Sequence, residues 1–341
     1  MPSFRSGTVT EILSERPGLQ RVLVDGERAY VLTQLTGDVA VGDEVVMNTT
    51  AVELGLGTGG WHVVHWNLRR RELDQPGPGH IMKVRYTSLQ ADTGADESIG
   101  DDDDLEGMPV VACGLHSQVA CVVAALRHVR PDIRIAYVMT DGAALPMAMS
   151  DLVVSMRPLL ATTITAGHAF GGEHEAVNVP AALLTAKRHA DVTVVGMGPG
   201  VVGTATKLGY SALEVGAVIG ATSLLGGRPV AALRFSLADP RLRHQGVSHH
   251  TTTALSLGTA ARATVGVPDG PFAARVRADL DAAGLSDRHR LLTVPDPGIP
   301  TLLDAAGLRV TSMGRGPDED PGFYAVAGAA GTAAATLLTD G

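Results

Sequence analysis

Gly198-Pro199-Gly200-Val201-Val202-Gly203 is the stretch of this chain with the plainest chemical use. It follows a β-branched run at 192–195 and precedes a segment, 204–218, whose composition permits a helix. Glycines at this spacing let a backbone turn sharply and approach an anion, and free N–H groups at a helix start supply positive potential. Thr204 and Lys207 would stand on the first helical turn and add a hydroxyl and a cation. A dinucleotide site also wants an acidic residue about 20 positions on. Glu214 comes too early, Asp239 comes too late, and Pro199 removes one N–H from the loop. The expectation is a turn that binds phosphate or another anion through Gly198, Gly200 and Gly203. A bare strand-to-helix turn is the alternative.

Two further stretches are loaded with chemistry. In GHAFGGEHE (167–175), His168 offers acid/base capacity, and Glu173 and Glu175 would favour the first turn of a helix beginning at Asn178. The segment lacks H-E-x-x-H spacing, so it does not by itself make a metal site. In ADPRLRHQGVSHHTT (238–252), Arg241 and Arg243 suit carboxylate or phosphate recognition through paired donors. Asp239 and His249 are the other candidates for proton transfer there. His249 and His250 are adjacent, so one of them at most is expected to face a given site, and Ser248 reads as a helix N-cap. His116-Ser117 and Thr140-Asp141 complete the set of polar pairs that follow strand-like runs.

These residues need elements to hold them. Residues 1–68 carry short β-branched runs punctuated by Gly, Asp and Asn, with Val24-Asp25-Gly26-Glu27 as a hairpin signal; they predict a small β-barrel or β-meander. The glycine-rich stretch 54–60 lies between strands and reads as a barrel loop. Residues 69–107 read as a linker, with one strand in HIMKVRYTSLQ and a solvated acidic loop at Asp101–Asp104. From residue 108 to 341, strand-like runs (PVVAC, IRIAYVM, ATTIT, VTVV, PVAALRFSL, ARATVGV, RLLTV, RVTS) alternate with helix-compatible segments. That rhythm predicts βα units and a mainly parallel, doubly wound sheet, with a closed β/α barrel as the rival. Right-handed crossovers would then put His116, Thr140, His168, Gly198 and Asp239 on one edge, around a common cleft.

Composition narrows the function classes. The chain has 341 residues, 45% hydrophobic and 18% charged, which suits a globular protein with a large core. A net charge of -9 disfavours nucleic acid and anionic membranes as partners, and aromatics at 4% leave little for base stacking. The start has no signal-peptide pattern, the Ala-rich stretch 324–338 is too short to span a membrane, and Cys113 and Cys121 make no disulfide framework; the cytoplasm is the expected location.

VVGMGPGVVGTATKLGYS, TAGHAFGGEHEAVN and FSLADPRLRHQGVSHHTTTALS resemble segments of a bacterial domain-of-unknown-function family, numbered 3866. The likeness runs over nearly the whole chain; it implies a two-part architecture and carries no catalytic role over to these residues. Function is thus read from the residues. The leading expectation is an enzyme acting on a small anionic metabolite or nucleotide, phosphorylated or not. A non-catalytic ligand-binding or regulatory protein is the alternative, and a metal-dependent hydrolase using His168, His174, Asp239 and His249 is a third. No cofactor is indicated and no metal ligand set is assigned; the expected partner is a small anion, and a homo-oligomer is compatible with the sequence.

Overall fold

A computed structural model describes residues 1–57 and 59–338; Thr58, in the glycine-rich stretch 54–60, lies outside the described residues. The chain forms two compact units, Met1–Ala95 and Asp96–Gly341.

In the first unit, β1 (Phe4–Arg16), β2 (Leu19–Val24), β3 (Glu27–Val31), β4 (Glu44–Asn48) and β5 (His62–Asn67) close a barrel in the order β1-β2-β3-β5-β4. β1 is long enough to pair antiparallel with both β2 and β4, and register shifts near Val9 and Ile12 bend it. Asp25 (φ 49°) and Gly26 (φ 83°) join the paired residues Val24 and Glu27, the two positive values a type I′ turn requires. Val22, Val24, Ala29, Val31, Val45, Met47 and Val64 fill the interior, alternating with exposed or half-buried neighbours. In 69–95 the expected strand is absent; a two-residue antiparallel pair, Met82–Lys83 with Ala91–Asp92, stands in its place.

The main sheet of the second unit is built from β6 (Pro109–Cys113), β7 (Ile135–Thr140), β8 (Thr162–Ala166), β9 (His174–Ala176), β10 (Val192–Met197), β11 (Arg228–Ala232), β12 (Thr264–Pro268) and β13 (Arg290–Val294), beside a small antiparallel pair, Phe235–Ser236 with Gly246–Val247. The main sheet is open and wholly parallel, in the order β9-β8-β7-β10-β6-β11-β12-β13. The closed β/α barrel does not form. Helices cover both faces. α1 (His116–Val129), α2 (Asp151–Met156), α7 (Ile299–Ala305) and α8 (Pro321–Leu337) belong to one core. α3 (Val179–His189), α4 (Glu214–Leu224), α5 (His249–Ser256) and α6 (Ala273–Ala282) belong to the other. Successive strand residues point to opposite faces, so Ile135, Tyr137 and Met139 enter the first core while Ala136 and Val138 enter the second. Burial on both faces is why these strands read as unbroken apolar runs.

α8 explains the Ala- and Gly-rich C-terminal stretch. It is buried along its length, and a Cβ at Gly331 would stand 2.4 Å from the Val122 carbonyl of α1. Small residues there allow close helix approach. Among the described residues no helix is long and apolar enough to cross a membrane.

Two strand expectations are corrected. RVTS (309–312) is irregular, because the chain turns back through a bridge between Ser312 and Arg315. An unanticipated edge strand, β9, arises inside GHAFGGEHE. Glu173 accepts from Thr163 N and the Thr162 hydroxyl, and Glu175 from Gly171 N and the Thr165 hydroxyl. The two glutamates thus fasten the edge to β8 and leave the capping of α3 to Asn178, which accepts from Ala181 N. The acidic loop is also more engaged than expected: Lys187 Nζ reaches Asp102, Glu106 and the Asp104 carbonyl.

Candidate functional site

The strand order reverses direction around β6. The connection from β6 to β7 crosses β10 through α1 on one face, and that from β10 to β11 crosses β6 through α4 on the other. At such a switch point the carboxyl ends of neighbouring strands diverge and leave a crevice. A cavity of about 550 Å³ lies here, lined by residues that follow β6 (Leu115, His116, Ser117), β10 (Pro199 to Val201, Gly203, Thr204) and β11 (Arg234, Arg241, Arg243, His244, His250). Arg309 to Met313 close its wall.

The glycine turn takes part differently than its pattern predicts. Gly200 adopts φ 97°, and a Cβ on Gly198 would meet the Ala144 carbonyl at 2.3 Å, so both positions demand glycine. Yet no helix starts at Thr204. Thr206 N and Gly209 N bond to the hydroxyls of Thr204 and Thr206, and Thr204 N donates to the Gly209 carbonyl, closing a small hairpin. Side-chain oxygens thereby compete with helical bonding, and α4 begins only at Glu214. Thr204 lines the cavity, whereas Lys207 stands exposed in the hairpin, outside the lining.

The helix that does start at the cavity is α1. Its first residues, His116 and Ser117, face the space. Both nitrogens of His116 are engaged: Nδ1 at 3.0 Å from the Met197 carbonyl and Nε2 at 2.7 Å from Ser150 Oγ. Burial pushes its pKa down, so the neutral ring donates from Nδ1 and accepts at Nε2. His116 is a tie between β10 and the N-cap of α2. Gln118, wholly buried, accepts from Leu115 N and donates to the Leu233 carbonyl, fixing α1 against the end of β11.

Charge is the site's main feature. Arg234, Arg241, Arg243 and Arg309 line the cavity, and among the described residues no Asp or Glu does. Asp239 is buried behind them and takes a two-pronged bond from Arg241 (2.9 and 2.8 Å), with Arg234 at 3.5 Å and Arg315 at 3.6 Å. The Arg241 hydrogen bond holds its carboxyl well below the usual range, which makes Asp239 a counter-ion and a poor proton acceptor. Arg234 is nearly buried, and desolvation with neighbouring cations pushes it down to about 10. Among the described residues Arg243 and Arg309 have no side-chain partner. Arg309 and Arg234 were missed in the sequence. The one signal was that Arg234 interrupts an apolar run just past the end of a strand.

Three histidines back the arginines. Ser248 caps α5 by accepting from His250 N, and its hydroxyl lies 2.7 Å from His244 Nδ1. His250 stacks on Tyr210 at 4.0 Å and its Nδ1 lies 3.3 Å from Arg234 Nη1. The His249 ring centre is 5.0 Å from that of His244 and 4.4 Å from that of His250. Of the adjacent pair His250 lines the cavity and His249 does not, although neighbours on a helix differ by only about 100°, which keeps the two rings in contact. Burial first, then nearby arginines, depress all three, His244 and His250 to about 3.

A family model described as "Protein of unknown function (DUF3866)" matches residues 28–331. The chain belongs to this family. No curated protein and no solved structure matches it.

In this DUF3866 protein the remaining predicted residues gather elsewhere on the sheet edge. Thr140, the last residue of β7, donates its hydroxyl to Glu214 at 2.6 Å, and Asp141 accepts from His168 N at 2.8 Å. Thr140, Asp141 and His168 are outside the cavity lining, so the five post-strand loops do not share one cleft. Burial, the main cause, raises Glu214 to about 7.

Proposed function

We propose that this protein binds a small, multiply charged anion, of phosphate or polycarboxylate type, in the cavity at the β10-β6-β11 switch point, and acts on it as an enzyme. The observation that carries this reading is a lining with four arginines and, among the described residues, no acid, in a chain of net charge -9. A local excess of cations costs stability unless an anion offsets it, so its retention argues for a ligand. Arg243 and Arg309 are the free contacts, Arg241 is pre-oriented by Asp239, and the start of α1 adds N–H groups beside Ser117. Gly200 and Gly203 bring the backbone to the same space. Two buried free cysteines, Cys113 and Cys121, fit a reducing compartment such as the cytoplasm.

A non-catalytic sensor is the second reading, and one observation favours it: His116 and Asp239 are committed to internal bonds, which leaves few groups free to move a proton. The test is a thermal-shift panel of phosphate, pyrophosphate, nucleotides and di- and tricarboxylates, then turnover assays on whichever anion binds. Failure of every anion to raise the melting temperature would sink the binding reading; binding without turnover would favour the sensor.

A further inference from the structure

The histidines behind the arginines have an arrangement that anion binding does not require. One nitrogen from each of His244, His249 and His250 lies within 4.8 Å of one from each of the others. His249 Nε2 is buried with no hydrogen-bond partner, one of four such side-chain atoms among the described residues. A buried polar nitrogen left unpaired is costly, and such an atom points to a partner that binds there.

We propose that His244, His249 and His250 form a three-histidine site for a divalent transition-metal ion of the zinc class, set in the wall of the arginine-lined cavity with an open coordination position toward the anion. Three imidazoles plus an open position is the donor set of a catalytic rather than a structural zinc site. Imidazole nitrogens select zinc, cobalt, nickel or copper over magnesium and calcium. Ser248 supplies the outer support: with Nδ1–H of His244 donated to its hydroxyl, the Nε2 lone pair is free to ligate. Arg234 lies between this cluster and the counter-ion, with Nη1 3.3 Å from His250 Nδ1 and Nη2 3.5 Å from Asp239.

The same arginines oppose a bare dication, and this fixes how the site behaves. Arg234, Arg241 and Arg243 face the histidines, with Asp239 as the counter-charge. An anion in the cavity would offset their charge and take the open metal position, so metal and anion should each tighten the other's binding. This coupling rests on the anion reading above; the metal site itself does not.

The experiment is calorimetric titration of chelator-treated protein with Zn²⁺, in the presence and absence of inorganic phosphate, with Co²⁺ absorption as a coordination probe. A second cluster, Asp96, His174 and His189, also lies within ligand reach, so His174→Ala serves as the control. The expected result is one ion per chain in wild type and His174→Ala. The same ion should bind at least a hundredfold more weakly to His249→Ala, with the intense visible bands of four- or five-coordinate Co²⁺ lost, and phosphate should tighten wild-type binding severalfold. His249→Ala removes an unpartnered buried nitrogen, so its fold should persist; if circular dichroism shows otherwise, His249→Asn repeats the comparison. Absence of stoichiometric Zn²⁺ binding, or binding unchanged in the His249 variant, overturns the proposal. Zn²⁺ bound with no response to phosphate keeps the metal site and overturns its coupling to phosphate; phosphate bound without Zn²⁺ keeps the anion reading and overturns the metal site.

Discussion

Individual side chains at this sheet edge divide into those held by the protein and those left for a ligand. Arg241 is held by Asp239, whereas Arg243 and Arg309 have no side-chain partner among the described residues. Arg243→Ala and Arg309→Ala should therefore each weaken anion binding about tenfold, the scale of one charge-assisted contact, and leave stability within about 0.5 kcal/mol. Calorimetry and thermal melts on the same samples separate the two effects. Gly200 tests the backbone. Nothing lies within 4 Å of a Cβ there, so Gly200→Val would suffer only from its φ of 97°, at a cost of about 1–3 kcal/mol, together with lost anion affinity. Glu214 gives a pH signature. Its folded pKa of about 7 lies above its ordinary 4.5, so the native state keeps a proton that the unfolded chain releases. The contribution is present in full below about pH 4.5 and is lost as pH rises to about 7, on the order of 1–3 kcal/mol in total. Urea melts from pH 5 to 8 should show that decline in wild type and a flatter profile in Glu214→Gln.

At the scale of elements, α1 carries more than its own helicity. Its first turn meets the cavity, its buried stripe of Val119, Val122, Val123 and Leu126 packs the first core, and Gln118 bolts it to the end of β11. Gln118→Ala would leave the Leu233 carbonyl without that buried donor, so a loss of about 2–3 kcal/mol is expected in urea unfolding. The α8 contact is stricter. Gly331→Val would force a side chain against the α1 backbone, which cannot yield as a side-chain tip would, and α1 would have to move. That variant should lose stability by several kcal/mol and, by displacing α1, anion affinity too.

For the molecule as a whole, function and stability are linked through the ligand. An anion at 100 times its dissociation constant should stabilise the fold by about 2.7 kcal/mol and raise the melting temperature by about 2–4 °C. Because the interaction is charge on charge, the rise should shrink at high ionic strength, where the Debye length falls to about 3 Å at 1 M salt. Melts at 0.05 M and 1 M sodium chloride would show this; a shift insensitive to salt would point to an apolar ligand instead.

The repetitive part of this architecture was legible in the sequence. Runs such as VTVV and IRIAYVM are apolar at every position because both sheet faces are buried, and the barrel strands alternate because one face is not. Hairpin and cap residues, Asp25-Gly26 and Ser248, act locally, so their roles followed from their neighbours alone. The site was legible only in halves. Sequence marked the loops after β6, β10 and β11, but strand order alone decided that these three meet while those after β7 and β8 join each other through Asp141 and His168. Arg309 reaches the cavity from the chain's far end, and no local pattern marks a residue whose neighbours across the cavity lie so far away along the chain. The helix expected at Thr204 failed for a smaller reason: two threonine hydroxyls bonded the backbone first. Short-range hydrogen bonds and burial periodicity are written along the chain, whereas the meeting of charges across a sheet edge depends on topology, which only the folded molecule fixes.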